Sequence, residues 1–505
     1  MRKLVPARHL PMLVALLVAL GVGLYLVPDY GESVDESNMY AYVQYAMDDY
    51  RLFRHPGELA DYDGPGAIKS PYYLVGGFVV RALAHLKPAW SSPTSWHFIY
   101  FVTFLAGAAA LYGLALRWMS TAAAFSATLL YLTQPLFWGH AFINPKDVPM
   151  TALFLASVYA GLRMTDRPRT APWIDGWVVP AAVLLGIATA TRVVAPLAGI
   201  IVLVHAVSRL GSRGAALAIT YVVLAAAFTY VSWPFLWGRP AGAYFGTVRD
   251  AASFDFSGSV LFRGEIHSAM HVPWSYFPTL VGIQLTEPAL VLFVAGIVFA
   301  VLDFRGGRGR APLLLFVAWC LVPVLLVIGA GSTLYNNGRQ LYFLLPPVFL
   351  VAGMAFDRLF KLRLGPAAQA SAVLLAILPG ILASFSLHPY EYIYYNSLAG
   401  GTRGARGQFE MDYWATSYGE LASYANATFV SGSRIRASKP GELFRRSLRP
   451  DMEIVRIAPY DYAAYIIGRL APEDPCPGAE TIYSVERSGV VFAVLKRTPD
   501  GTGCK

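Results

Sequence analysis

The sequence predicts an α-helical polytopic membrane protein of about eleven transmembrane helices, closed by a small C-terminal α/β domain outside the cytoplasm. Three observations predict it. Of 505 residues, 56% are hydrophobic and only 14% charged, against roughly a quarter charged in an ordinary soluble domain. The apolar residues gather into runs close to the ~20 residues that span a bilayer. The basic residues between those runs fall on one side, as they do where basic loops stay cytoplasmic. The formal charge of +9 therefore reports orientation, and no basic face interleaved with aromatics points to nucleic acid.

The first run, 11–27, follows Arg2, Lys3 and Arg8. No small-residue cleavage motif comes after it, and the chain goes on to Pro28 and Asp29, so it is read as an uncleaved span with its start in the cytoplasm. Residues 28–95 then form a first outer loop. Two of its pieces read as helices lying in the interface. In 39–53 aromatic and apolar residues recur at helical spacing beside Asp48 and Asp49. Residues 71–86 are apolar but carry Arg81 and His85 and are short for a span. Counting that piece as a crossing would put every later basic cluster on the wrong side.

Further runs lie near 96–118, 121–139, 148–163, 176–191, 193–208, 215–237, 276–302, 311–330, 340–356 and 366–387. The clusters Arg163/Arg167/Arg169, Arg209/Arg213, Arg305/Arg308/Arg310 and Arg358/Lys361/Arg363 all fall on the side of Arg2 and Lys3. An odd number of crossings leaves the tail outside a multi-pass cytoplasmic (inner) membrane protein. A second large outer loop occupies 239–275. The transmembrane domain is thus expected over 1–387 and the extracytoplasmic domain over 388–505, with MEIVRI, AAYIIG, TIYSVER and GVVFAVLKR as strands or short helices of an α/β unit. Of the three cysteines, Cys320 sits in an apolar run, and Cys476 and Cys504 in the tail are either bridged or free.

Chemistry is expected on the outer face. Asp35 and Glu36 are adjacent just beyond the first span; partial dehydration there raises a carboxylate's proton affinity and makes it a better base. Asp147, in HAFINPKDVPM, complements a helix dipole and faces the same side, so it pairs with Asp35 as a second acid. Lys69 either contacts lipid headgroups or stabilises a departing phosphate. Arg192 and Arg339 stand at outer ends of spans, where the orientation rule disfavours positive charge. His140, His267, His271 and His388 lack metal-site spacing and read as interface residues. Neither a metal nor a cofactor is expected.

Together, Asp35-Glu36 followed by Tyr40, Lys-x-Pro-Tyr-Tyr at 69–73, Asn-Pro-Lys-Asp at 144–147, PWSYFPTLVGIQLTEPAL at 273–290 and GRQLYFLLPP at 338–347 resemble the GT-C membrane glycosyltransferases. The likeness is to the superfamily of protein O-mannosyltransferases, which use dolichyl-phosphate-mannose, and lipid A aminoarabinose transferases. It runs over most of the chain ahead of the tail. Relatives commonly have Lys-Pro-Pro where this chain has Lys69-Ser70-Pro71. The resemblance implies an inverting transfer of one sugar from a polyprenyl-phosphate donor to a protein, lipid or glycan acceptor among membrane lipids. Asp35 would be the base, with Glu36 beside it, and Asp147 the second acid. Lys69, Arg339 and Arg192 would contact the donor phosphate. The alternative is a transporter or flippase of a lipid-linked or small polar substrate; such proteins place polar groups near the midplane, at broken helices and in repeated halves, whereas these acids lie in loops and no repeat is visible.

Overall fold

A computed structural model describes residues 7–37, 39–40, 43, 47, 71–166, 176–240, 242–252, 256, 258–306, 314–315, 317–329, 331–362, 365–470 and 476–498. It is a multi-pass helical membrane protein with a C-terminal sheet. Among the described residues, five helices are long and apolar enough to cross a membrane: Ala7–Asp29, Ser92–Ala115, Ser212–Ser232, Glu287–Arg305 and Pro366–Leu387. The count is six if the pair Asn336–Leu344 and Pro346–Lys361, bent by 59°, is one span. Shorter apolar helices cover Thr121–Leu132, Val178–Thr191, Pro196–Leu210 and Val317–Gly329. Residues 71–86, expected to be helical, form the helix Pro71–Leu86.

Several runs expected as single spans are broken, and proline explains where. The run 121–139 divides into Thr121–Leu132 and Pro135–Ile143, and the run 276–302 into Tyr276–Gln284 and Glu287–Arg305, with Pro135 and Pro288 in the first turns. Proline donates no hydrogen bond and pushes the residue before it out of the helical region. The two breaks satisfy each other. Gln134 donates to the Thr286 hydroxyl at 3.0 Å and accepts the Thr286 N–H at 3.0 Å, which covers polar groups that apolar surroundings would leave costly.

The run 340–356 departs furthest from expectation. Asn336, Asn337 and Gly338 have φ of 50°, 58° and 65°, and consecutive left-handed residues cannot continue a right-handed helix. The chain makes the 3-10 segment Asn336–Leu344 instead, and Pro346 and Pro347 start the helix Pro346–Lys361. This turn carries Arg339 inward.

On the C-terminal side, five strands form one sheet in the order β4-β3-β5-β7-β6. They are β3 (Arg434–Ala437), β4 (Glu453–Ile454), β5 (Tyr462–Ile466), β6 (Glu480–Arg487) and β7 (Val490–Arg497). A separate hairpin pairs β1 (Ser259–Phe262) with β2 (Glu265–Ser268). The turn between β6 and β7 is Ser488-Gly489, both at positive φ, the conformation a two-residue hairpin needs. The chain between the last apolar helix and this sheet folds back over the helices. Tyr390, Tyr392, Tyr395, Met411, Tyr413 and Trp414 share one apolar cluster with Phe137, Phe142, Tyr342 and Phe349.

Candidate active site

The site grows from the motif Asn144-Pro145-Lys146-Asp147, in which each residue has a distinct task. The Asn144 side-chain oxygen accepts the N–H groups of Lys146 (3.1 Å) and Asp147 (2.8 Å), and its amide donates to Asp147 Oδ2 at 3.1 Å. That side-chain turn stands in for backbone hydrogen bonds and fixes the start of the helix Asp147–Met164. The Pro145 carbonyl accepts the Tyr73 hydroxyl at 3.1 Å, which ties the motif to the helix Pro71–Leu86. Lys146 and Asp147 are left to face the cluster.

Arg339 bridges the two acids found in the sequence. One guanidinium nitrogen donates to Asp147 Oδ2 at 2.7 Å and the other to Asp35 Oδ2 at 2.8 Å. Its side chain is 3% exposed, as is that of Asp147. Arg192, just beyond the end of the helix Val178–Thr191, donates to the other Asp147 oxygen. Lys146 Nζ lies 3.6 Å from Asp35 Oδ2, and these two side chains are 26% and 18% exposed, Arg192 being 25% exposed. Beneath the cluster, the Arg339 guanidinium lies over the ring of Trp414, with its carbon 4.2 Å from the centroid.

Asp35 and Glu36, expected to act together, point apart. Glu36 is fully buried; its carboxylate accepts the Ser33 N–H at 2.7 Å and meets His97 Nε2 at 3.1 Å. Ser33 and Glu36 are three apart, and a glutamate reaching back to that backbone N–H is half of a capping box. Glu36 therefore shapes the loop that presents Asp35, and its carboxylate faces away from the arginines. The loop is pinned on both flanks. Tyr30 stacks on Phe142 at 4.1 Å, and Val34 N–H donates to the Trp414 carbonyl at 3.1 Å. Lys69 lies outside the described residues, as do Cys504 and most of 39–53 beyond Met39, Tyr40, Val43 and Met47.

Two expectations are corrected. Dehydration was to raise the proton affinity of Asp35. Burial does act in that direction, but Lys146 and then Arg339 outweigh it and hold the carboxyl well below the usual carboxylate range. His140 was placed at an interface; it is fully buried, with Nε2 3.0 Å from the Tyr413 hydroxyl and 3.1 Å from that of Tyr342, and Nδ1 3.1 Å from the Asn144 amide. Lys146, Asn144 and Trp414 were missed. Lys146 had a signal, since on the expected topology it breaks the orientation rule just as Arg192 and Arg339 do. Trp414 had none.

Three cations thus face two carboxylates, and the surplus positive charge with an exposed Lys146 edge suits an anionic ligand. Burial lowers the proton affinity of Lys146, and Asp35 opposes that effect. Among the described residues no group of three or more His, Cys, Asp or Glu side chains is placed to hold a metal ion.

Neither a protein-family model nor a curated sequence matches this chain. Among solved structures it is similar to ArnT from Cupriavidus metallidurans bound to undecaprenyl phosphate, at 14% identity and a TM-score of 0.51, over 98% of this chain and 99% of that one. It is also similar to the oligosaccharyltransferase of Archaeoglobus fulgidus in the apo form, at 11% identity and a TM-score of 0.51, over 87% of this chain and 64% of that one. What is shared at these identities is the fold, and it is the GT-C fold that the motifs led us to expect.

Proposed function

We propose that this protein is an inverting glycosyltransferase that moves a sugar from a polyprenyl-phosphate donor to an acceptor at the outer face of the cytoplasmic membrane. The observation that carries the proposal is Arg339, held by Asp35 and Asp147 at 2.8 and 2.7 Å with Lys146 and Arg192 beside them, in a fold whose solved example ArnT holds undecaprenyl phosphate. The cations meet the charge that develops on a departing phosphate. In the transfer, an acceptor oxygen attacks the anomeric carbon from the face opposite the phosphate. The carbon–oxygen bond to phosphate breaks, its electron pair stays on the polyprenyl phosphate, and the acceptor proton passes to Asp35.

The low proton affinity of Asp35 fits this sequence of events. Paired with Lys146 and Arg339, the carboxylate is a weak base. A donor phosphate competes for the same two cations, and as they turn to it Asp35 becomes the better proton acceptor. Asp147, doubly held by Arg339 and Arg192 and less exposed than Asp35, stays ionised and orients the arginines and the acceptor or sugar hydroxyls. Lys69 belongs with the donor-binding cations by its place in the sequence. About eleven crossings, the start in the cytoplasm and the C-terminal sheet outside complete the proposal. A disulfide bond at Cys476 supports an oxidising compartment for the tail.

The test is mass analysis of lipid-linked sugars and glycans in cells carrying the wild-type chain or Asp35→Asn. The amide keeps the size of the side chain and cannot take the proton, so transfer should fall by about 10²-fold or more while the protein still accumulates in the membrane. Wild-type levels of product from Asp35→Asn would defeat the assignment of the base.

A further inference from the structure

The stretch 409–417, beyond the apolar helices and among residues of soluble composition, touches the site at several points. Trp414 is fully buried, and the Arg339 guanidinium carbon stands 4.2 Å from its ring centroid. The Trp414 carbonyl accepts Val34 N–H at 3.1 Å, one residue before Asp35. Glu410, also fully buried, accepts Asn337 N–H at 3.3 Å and the Tyr276 hydroxyl at 3.4 Å. The Asn337 amide donates to the Tyr395 hydroxyl at 2.8 Å, and that hydroxyl donates to the Glu410 carbonyl at 2.9 Å. Arg469 reaches the same turn and donates to Asn336 Oδ1 at 3.1 Å.

The stretch is itself rigidly built. Asp412 accepts the N–H groups of Thr416 at 3.1 Å and Ser417 at 3.3 Å and, besides these, the hydroxyls of Tyr392 and Ser417. Asp412 and Ala415 take positive φ of 34° and 57°, and such strain persists only where the surroundings hold it. What it presents is an indole face. A guanidinium hydrogen-bonds in its own plane and leaves its two faces for stacking. Arg339 spends its two terminal nitrogens on Asp35 and Asp147, so ring contacts limit movement out of that plane. Of the two rings the guanidinium carbon meets, Trp414 at 4.2 Å is nearer than Tyr335 at 5.5 Å.

We propose that Trp414 and Glu410 are positioning residues of the transfer reaction. Trp414 holds the Arg339 guanidinium level between the two acids and keeps it in place as a phosphate draws it from them. Glu410 grips the left-handed turn from which Arg339 projects. The C-terminal unit is then part of the catalytic site, joined to it through 410–416. This deepens the proposed function and rests on its assignment of the cluster to a polyprenyl phosphate.

The test uses the full-length protein in lipid nanodiscs, with binding of undecaprenyl phosphate compared with that of undecaprenol by native mass spectrometry. Wild type should prefer the phosphate, and Arg339→Ala should lose most of that preference. Trp414→Met, which has no π face, should bind undecaprenyl phosphate about tenfold more weakly, and Trp414→Phe only a fewfold more weakly, as expected for a desolvated cation–π contact. Glu410→Gln, which keeps an acceptor, should bind within about twofold of wild type, and Glu410→Ala should fall with Trp414→Met. The double variant of Trp414→Met and Arg339→Ala should bind no more weakly than Arg339→Ala alone, because the ring acts through the arginine; a merely structural effect would add. Wild-type binding by Trp414→Met, or additive losses in the double variant, would overturn the inference. If Trp414→Met does not fold, Trp414→Phe against Arg339→Ala decides by the same cycle. Equal binding of phosphate and alcohol by wild type would instead remove the assignment on which the inference stands.

Discussion

Replacing Arg339 by methionine tests the geometry of the cluster most directly. The side chains are of similar length, so the change removes charge and hydrogen bonds with little change of volume. Arg339 makes contacts of 2.7 Å and 2.8 Å to two acids and is 3% exposed, and removing one partner of a buried pair costs about 3–5 kcal/mol because the other charge is left uncompensated. Here the remaining charges are partly covered. Asp147 keeps Arg192 and Asn144, and Asp35 keeps Lys146 at 3.6 Å with 18% of its side chain open. The loss should therefore lie near the lower end, about 3 kcal/mol. Adding Asp35→Asn removes one of the stranded charges and should recover at least about 1 kcal/mol. The assay is unfolding of the full-length chain in mixed micelles of increasing denaturing detergent, followed by tryptophan fluorescence. Asp35 also sets a sign. Its proton affinity is depressed in the folded state, so the stability it lends is present above the ordinary carboxylate range near pH 4 and is lost as pH falls below it. Arg339→Met should weaken that acid-side loss. An unchanged stability for Arg339→Met, or a double variant as unstable as the two losses added, would refute the argument.

Other expected outcomes follow from single contacts. Burial pushes the Glu410 carboxyl from 4.5 up to about 7, so the folded state holds its proton more tightly than the unfolded chain, and stability should fall as pH rises from about 4.5 to about 7 by on the order of 3 kcal/mol; Glu410→Gln should flatten that slope in a pH series of unfolding midpoints, with Asp412, pushed up to about 6, accounting for part of what is left. A Cβ on Gly31 would lie 2.2 Å from the Thr416 carbonyl oxygen, so Gly31→Ala should push the opening loop off the 412–416 turn, cost about 1–3 kcal/mol and reduce transfer in the glycan assay; wild-type stability and transfer would mean that the loop is not seated there. A phosphatase reporter fused after Lys505 should be active only outside the cytoplasm, and cytoplasmic activity would mean that a crossing is miscounted.

The arginines and the acids of the site stood out in the sequence for different reasons. Positive charge on the side that an orientation rule leaves almost bare must have a partner or a task, and the expected topology puts Arg192 and Arg339 there. Asp35 and Asp147 stood out instead as carboxylates expected together at one face of the bilayer. The same orientation rule singles out Lys146 inside the Asn-Pro-Lys-Asp motif, since the expected topology puts that motif on the same side. The sense of the Asp35 shift was not legible. It depends on whether burial or counter-charge wins, and the deciding partners include Arg339, 304 positions away in the chain. The breaks at Pro135 and Pro288 did carry a signal, since a proline inside an apolar run marks a helix start as readily as a kink. Of the tail, the β6–β7 hairpin was readable from its strands, whereas β3, the four residues Arg434–Ala437, is too short and too polar to announce itself. Trp414 was beyond reach, because an aromatic in a stretch of ordinary composition becomes informative only when the fold lays a guanidinium on its face.

The cluster also bears on how a transferase at a wet membrane rim avoids wasting its donor. A carboxylate poised as a strong base would activate water as well as an acceptor hydroxyl. With Asp35 neutralised by Lys146 and Arg339, basicity is withheld until something anionic competes for those cations, and on the proposed reaction that competitor is the donor phosphate itself. Asp147 cannot substitute for Asp35, because Arg192 and Arg339 occupy both of its oxygens. On the proposed reaction, the asymmetry between the acids, one doubly held and one held at a single oxygen with an open edge, matches the division of roles between orienting acid and base. It also says what should reverse them: Arg192→Met would free one Asp147 oxygen, and the variant should hydrolyse lipid-linked sugar without acceptor faster than wild type, measured as free sugar released. A rate of release no higher than that of wild type would mean that the pairing of Asp147 does not guard the donor.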